Sequence, residues 1–473
     1  MKLKFWLATA ILTSCSLASQ QLLAAFPVIG GKGAWEASAA FETRIFPRSG
    51  YAGQGNFQPS IVFQPSWIYD NEDGDFSFIF SGYSRFDLSE TFAPYIDEAP
   101  KNSISQHYIK DMYGLWLTED WEYSAGFQEV FWGTAESLNL VDIINQQSLI
   151  EGFTETSKLG QPMLKATTSR DWGDLDLILM PGAVRQRYPK QGGRLSPIVV
   201  SPNAEYADGD GDHNIDLAIR WARTFGDMDL GLHYFSGVSR SPSLEARLDQ
   251  LVIQPIPFQI DYQLVPVYHT IDQVGLDLNW LLGDWVFKLE MIEVHGEVYA
   301  VKNSGLDGYF RELLAILNVQ ASIEDQLAAG GALTQEFLNS IAPKAPGRYR
   351  AAVAGLELDL GSILSSDYDW RLILETFYDQ RSDQALPAKL FTFGGRWAMN
   401  DENSHEAELG MLFEPESESG ALRFEFSRRV FDDWLFSSKV QAVFLGGGYK
   451  NVLRDELDIS RDHYIQLSLE TYF

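Results

Sequence analysis

The side chains able to do chemistry recur at every second residue of short apolar segments. Trp285, Phe287, Leu289 and Met291 alternate with Val286, Lys288, Glu290 and Ile292. Ile215, Leu217, Ile219 and Trp221 alternate with Asp216, Ala218, Arg220 and Ala222. Read the same way, one polar face collects Arg220, Lys288, Glu290, Arg371, Glu375, Arg396, Glu406, Glu408, Arg423, Glu425, Lys439, Gln441, Gln466 and Glu470. Basic groups facing acidic ones across a water-filled passage set up a transverse field that favours hydrated polar solutes over apolar ones. The alternative is that these charges neutralise one another and fill a wall. Arg185, Arg187, Lys190 and Arg194 form a basic run in an otherwise acidic chain. It could attract anionic solutes or the phosphates of lipopolysaccharide, with a solvated loop face as the alternative.

Other chemistry finds little support. Asp208, Asp210 and Asp212, spaced by glycines, resemble the start of a calcium loop. An EF-hand then needs glycine at the sixth position and glutamate at the twelfth. His213 and Ile219 stand there, so only a weak surface Ca²⁺ site is left, against an acidic loop leading into a strand. The seven histidines are scattered and Cys15 is the only cysteine, which gives no metal-ligand spacing and no internal disulfide. No nucleophile–base grouping can be named, and the expectation is a non-enzyme without cofactors.

The elements that position these residues are strands. Strict apolar–polar alternation is the pattern of a strand with one greasy and one wet face. Short turns rich in Asp, Gly and Asn recur between the segments, as in Asp70–Asp75, Phe225–Met228, Leu282–Trp285 and Phe431–Trp434. Aromatics sit beside many of them. Long connections at 87–104, 134–158, 183–211, 239–268 and 299–348 alternate with the short turns. The spacing predicts an all-β, antiparallel up-and-down transmembrane barrel of about 18 strands, or 16 if the segments at 35–46 or 159–170 are misread.

Composition agrees. Of 473 residues, 13% are aromatic, enough for interfacial girdles at two membrane surfaces. Mean hydropathy is −0.15, and no run of about 18 apolar residues follows the N-terminus, which excludes a helical membrane protein. A net charge of −29 argues against a nucleic-acid partner. Lys2 and Lys4 followed by an apolar stretch read as a secretory signal over residues 1–18. An overlapping lipobox would instead end the signal before Cys15 and acylate it. Residues 19–34 are then an N-terminal periplasmic segment and 35–473 the barrel.

Two insertions depart from the strand pattern. The connection 134–158 is too apolar for a solvated loop and is expected to fold into the lumen, with a cap on the barrel mouth or packing on a neighbour as the alternative. Apolar spacing over 306–342 predicts short amphipathic helices.

The mature chain resembles Gram-negative outer-membrane β-barrels of the porin and channel type. The resemblance rests on the signal, the periodic hairpins and the closing strand Tyr464–Phe473. Gln128-Glu129-Val130-Phe131-Trp132-Gly133-Thr134-Ala135-Glu136-Ser137, followed by Asp142 and Asn145, is also similar to a poorly characterised group of proteobacterial barrel proteins. The resemblance implies the bacterial outer membrane, with its lipid and lipopolysaccharide as surroundings, and Phe473 as the signal read by the barrel assembly machinery. It implies a channel for small solutes. A surface adhesin or scaffold with a sealed barrel is the competing reading.

Overall fold

The computed structural model describes residues 32–50, 54–89, 104–137, 139–152, 157–189, 194, 200–208, 211–252, 259–296, 325–326, 329, 347–361, 368–380, 389–415, 418–431, 433–444 and 463–473. The expected signal and Cys15, Lys190, Asp210 and almost all of the insert 306–342 lie outside them. Of that insert, Asp325 and Gln326 are helical, and the Ala329 N–H donates to the Asp325 carbonyl at 3.0 Å.

Eighteen strands form one antiparallel sheet. They are β1 (Lys32–Ile45), β2 (Phe57–Asp70), β3 (Phe76–Asp87), β4 (Gln106–Leu117), β5 (Glu122–Gln128) and β6 (Gln161–Arg170). Then come β7 (Gly173–Pro181), β8 (Ile215–Phe225), β9 (Met228–Val238), β10 (Thr270–Leu282), β11 (Trp285–His295) and β12 (Arg348–Gly361). The last six are β13 (Asp369–Asp379), β14 (Lys389–Ala398), β15 (Glu406–Glu414), β16 (Ser419–Phe431), β17 (Trp434–Phe444) and β18 (Tyr464–Tyr472). Each pairs with its neighbours in the chain, and β18 returns to β1 with Ser38 opposite Tyr472 and Ile45 opposite Ile465. Ala37 and Phe473 seal the seam, each N–H donating to the other's carbonyl, at 2.9 and 3.0 Å. Closure pairs the first strand with the last, so the sheet has no open end strand.

The first strand starts at Lys32, three residues ahead of the expected boundary, because Lys32, Gly33 and Ala34 pair with Asp70, Tyr69 and Ile68. Gly226 and Gly283 take φ of +63° and +65° in two-residue turns, a conformation that costs glycine little. The stretch 239–268, expected to be a loop, instead carries an antiparallel hairpin (Ser243–Val252 with Gln259–Tyr268). Glu205–Tyr206 adds to it in parallel.

Residues opposite one another in the register share a face. Leu217, Ile219, Leu232, Tyr234, Phe287, Met291, Phe391, Phe393 and Met411 point outward and are all exposed. Next to the turns, aromatic rings gather as a girdle: Trp35 stacks on Trp67, while Phe76 packs at a tilt against Trp116 and Trp370 against Trp397. Among the described residues no helix is long and apolar enough to cross a membrane.

The inner face is of two kinds. Toward the turns it is charged. Toward the long loops it is apolar on much of the circumference, with Met163, Ile178, Phe235, Ile271, Ile292, Val294, Val353 and Phe377 all buried. These side chains are covered from inside the barrel by the connection between β5 and β6.

Candidate functional site

The described residues of the β5–β6 connection, 129–137, 139–152 and 157–160, lie within the lumen and carry their own apolar side chains onto that inner wall. Trp132, Leu140, Val141, Ile143 and Ile144 are buried in the same cluster as Ile292, Val294 and Phe377. An inserted loop must also satisfy its backbone donors. Wall carboxylates do this. Glu290 on β11 is fully buried and accepts four N–H groups, from Thr134 and Ala135 on one oxygen and from Leu140 and Val141 on the other, at 2.6–3.2 Å. Glu375 on β13 accepts from Glu136 at 2.7 Å and from the N–H and hydroxyl of Ser137. Gly133 makes the turn possible. Its φ is +122°, and an added Cβ would collide with Asn139 Nδ2 and the Glu290 carboxylate.

The far side of the same loop is anchored at the opposite wall. Glu151 takes Arg85 Nε at 2.8 Å, the Tyr83 hydroxyl at 2.6 Å and Gln106 Nε2 at 2.7 Å, while Arg44 donates to its carbonyl at 2.6 Å. Asn145 staples the two legs together. Its Nδ2 donates to the Gln128 and Leu159 carbonyls, and its Oδ1 accepts from Val130. Arg240 holds the Ile144 carbonyl while paired with Asp216 at 2.8 Å.

Two cavities flank the loop tip. The lower one, nearer the short turns and of about 540 Å³, lies between Glu136 and Ser137 and the wall residues Arg371, Arg396, Glu406, Glu408, Arg423 and Glu425. The upper one, of about 510 Å³, is lined by Lys110, Glu129, Phe131, Asn139, Asp142, Gln147 and Lys158, and again by Glu136 and Ser137. The Glu136–Ser137 tip therefore stands where the two meet. Lys288 holds the Glu136 carboxylate at 2.6 Å and pairs with Glu357. In the upper cavity burial raises the Glu129 carboxyl above its usual range, with Lys110 and Lys158 pulling it back.

On the wall, successive register partners form a polar row. Asp359 lies opposite Arg371, then come Arg396, Glu408, Glu425, Lys439, Gln466 and Arg44 on the following strands. All fourteen residues read as one polar face occupy inward register positions, but they do different things. Glu290, Glu375 and Lys288 hold the loop. Arg220 pairs with Asp277 at 2.9 Å beneath Trp132. Gln441 accepts from Tyr464, and Gln466 accepts from Arg44. Glu470 is half-buried opposite Ala40. Arg371 is bidentate with Asp359, Arg396 pairs with Glu406 at 3.1 Å, and Arg423 and Lys439 share Glu425. Glu408 lines the lower cavity with no ion-pair partner among the described residues.

The basic run is not gathered into one patch. Arg194 is buried over the Phe46 ring and donates to the carbonyls of Arg48, Gln54 and Gly55. Arg185 lies over Tyr206, while Arg187 lies over Tyr108 and donates to the His107 carbonyl. Asp208 accepts from the Thr270 N–H at 3.3 Å. Among the described residues no three His, Cys, Asp or Glu side chains converge as a metal would require. The Glu151 hub and the Arg240–Asp216 pair were not singled out from the sequence. The one available signal was charge at inward positions of β1, β3 and β8.

An apolar outside, a charged inside and a sealed seam settle the architecture. The molecule is a transmembrane β-barrel. No family model matches the chain, and no curated protein matches its sequence. Among solved structures it is similar to Wzi of Escherichia coli, described as an outer-membrane protein of group 1 capsule assembly and a carbohydrate-binding β-barrel. The identity is 10%, covering 93% of this chain and 84% of that one, with a TM-score of 0.46. It is similar to OccK2 (OpdF) of Pseudomonas aeruginosa, solved with glucuronate, at 8% identity, 94% and 99% coverage and a TM-score of 0.45. The outer-membrane channel DcaP of Acinetobacter baumannii follows at 8% identity, 94% and 98% coverage and 0.40. These are likenesses of fold.

Proposed function

We propose that the protein is a channel of the bacterial outer membrane that passes small hydrated solutes through a constriction formed by residues 129–160. The observation that carries this is the pair of cavities meeting at Glu136 and Ser137, bounded on the wall by a row of charges and not by a closed apolar core. A sealed scaffold would have no use for an unpaired lumenal carboxylate such as Glu408, which costs solvation unless water reaches it. Mixed charge along the passage favours polar solutes, and the narrow tip sets an upper size. Phe473, hydrogen-bonded at the seam, is the residue offered to the assembly machinery under the same reading.

Reconstitution in a planar bilayer tests it. Stepwise conductance whose ion selectivity shifts on charge reversal at Arg396 or Glu408 supports the channel. Silence from a folded, inserted barrel overturns it in favour of the sealed scaffold.

A further inference from the structure

The barrel wall is interrupted where β2, β3, β4 and β5 meet, and the interruptions have separate causes in the sequence. In β2, Gln64 and Pro65 make no ladder pair with β3, although the register on either side is continuous. Proline has no N–H to give. In β4, the register against β3 shifts between Ser81 and Gly82, which leaves Lys110 as an extra, bulged residue. Strand β5 stops at Gln128 and pairs only with Met112–Leu117, so the loop-side half of β4 has no strand on that flank. There the Gly160 N–H donates to the Ile109 carbonyl, and only a glycine can approach so closely, since a Cβ would strike the Ile109 and Lys110 carbonyls.

The three defects adjoin and open a cleft of about 530 Å³ in the wall. Its sides are the outward-facing Pro65, Phe80, Ile109 and Phe127. Its floor is the inward pair Tyr83 and Tyr108, stacked at 5.1 Å, with the Tyr83 hydroxyl held on Glu151 in the lumen. The cleft is therefore closed toward the pore and continuous with the exposed apolar belt. At its edge is Arg187, which has no carboxylate partner among the described residues. Burial lowers the basicity of its guanidinium, so a bound anion would restore what solvation it has lost.

We propose that this cleft holds one acyl chain of lipopolysaccharide from the outer leaflet, with a lipid A phosphate on Arg187. The occupant must come from the bilayer, because the apolar sides of the cleft are continuous with the lipid-facing surface. Its headgroup carries negative charge, because the cation at the edge has no carboxylate partner among the described residues. The half of β4 concerned lies toward the long loops, which places the cleft in the leaflet that carries lipopolysaccharide. The inference rests on the outer-membrane reading but not on conduction.

Gly82 provides the test. A Cβ there meets only ordinary contacts, 3.5 Å from Phe80 and 3.7 Å from Pro65 and the Tyr108 carbonyl, so Gly82→Leu fills the cleft without backbone strain. Detergent-solubilised protein is mixed with lipid A, dephosphorylated lipid A or phosphatidylglycerol, and bound lipid is counted by native mass spectrometry. The expected result is one lipid A retained by the wild type and at least tenfold weaker retention by Gly82→Leu. Arg187→Gln should lose the preference for phosphorylated over dephosphorylated lipid A. Gly410→Leu, which fills the lower lumen cavity, should retain lipid A while lowering conductance. Should Gly82→Leu fail to fold, Ser84→Phe obstructs the same cleft from its outer side. Unchanged lipid A retention in the cleft-filling variants, loss of retention in Gly410→Leu, or equal retention of phosphatidylglycerol would each overturn the proposal. Conductance measured on the same variants reports separately on the channel.

Discussion

Replacing Glu290 with alanine should release the loop while sparing the barrel. The carboxylate accepts four backbone N–H groups at 2.6–3.2 Å and is fully buried. A hydrogen bond to a charged acceptor contributes about 1.5–3 kcal/mol net, so four independent ones would total roughly 6–12 kcal/mol. They are not independent, because they share two oxygens, and lumenal water can enter the vacated site and satisfy some of the donors. A loss of about 3–5 kcal/mol in loop anchoring remains, and at 1.4 kcal/mol per decade the released population rises roughly a hundred- to several-thousand-fold. The barrel ladder is untouched, since β11 keeps its pairings with β10 and β12. The assay is single-channel conductance, with thiol labelling of Ser137→Cys in the same background. Glu290→Ala is expected to give larger, noisier openings and fast labelling. Glu290→Gln, which keeps one acceptor oxygen, should fall between it and wild type. A folded Glu290→Ala barrel with wild-type conductance and wild-type labelling would show that the four hydrogen bonds do not hold the loop.

Three further outcomes are expected. Gly133→Ala puts a side chain at φ +122° against Glu290 and Asn139, and should match Glu290→Ala in conductance and labelling while leaving strand content by circular dichroism unchanged. Glu408→Lys removes an unpaired lumenal carboxylate and should shift the reversal potential in a salt gradient toward anions, whereas Glu375→Gln should alter loop labelling more than ion preference. In the turn between β14 and β15, the His405 N–H and then its ring hold the Asp401 carboxyl below its usual range. A depressed folded-state pKa means that this support is complete above the ordinary carboxylate range and is lost only as pH falls through the lowered value. Amide exchange at His405, whose N–H donates to the Asp401 carboxylate at 3.0 Å, should stay protected at mildly acidic pH and rise only in stronger acid, while Asp401→Asn should be insensitive to pH.

The barrel was legible in the sequence because strand geometry writes itself as a period of two. Phe391, Phe393, Arg396 and Glu408 stand on the faces that alternation assigns them. The division of labour inside was not legible. Glu290 and Glu408 look alike along the chain, each a carboxylate between outward apolar residues. One is buried under a loop about 150 residues away in sequence, and the other faces the cavity. Inward apolar positions were hidden for the same reason. Ile292, Val294 and Phe377 could have been ladder neighbours of lipid-facing residues or packing partners of a loop, and only the loop's path decides. Likewise the Arg185–Arg194 run reads as one basic patch until the register hands each described side chain to a different neighbour.

The anchoring of residues 129–160 has a mechanical consequence. Glu151 ties the loop to β1, β3 and β4, while Glu290 and Glu375 tie it to β11 and β13, and β4 and β13 face each other across the ring of eighteen. The loop is thus a strut spanning a tube. A bare cylinder of this girth can flatten into an ellipse when the surrounding film squeezes it, changing its bore at no cost in strand pairing. A cylinder strutted along one diameter keeps that dimension fixed, and its bore should be indifferent to bilayer thickness and tension until one end of the strut lets go.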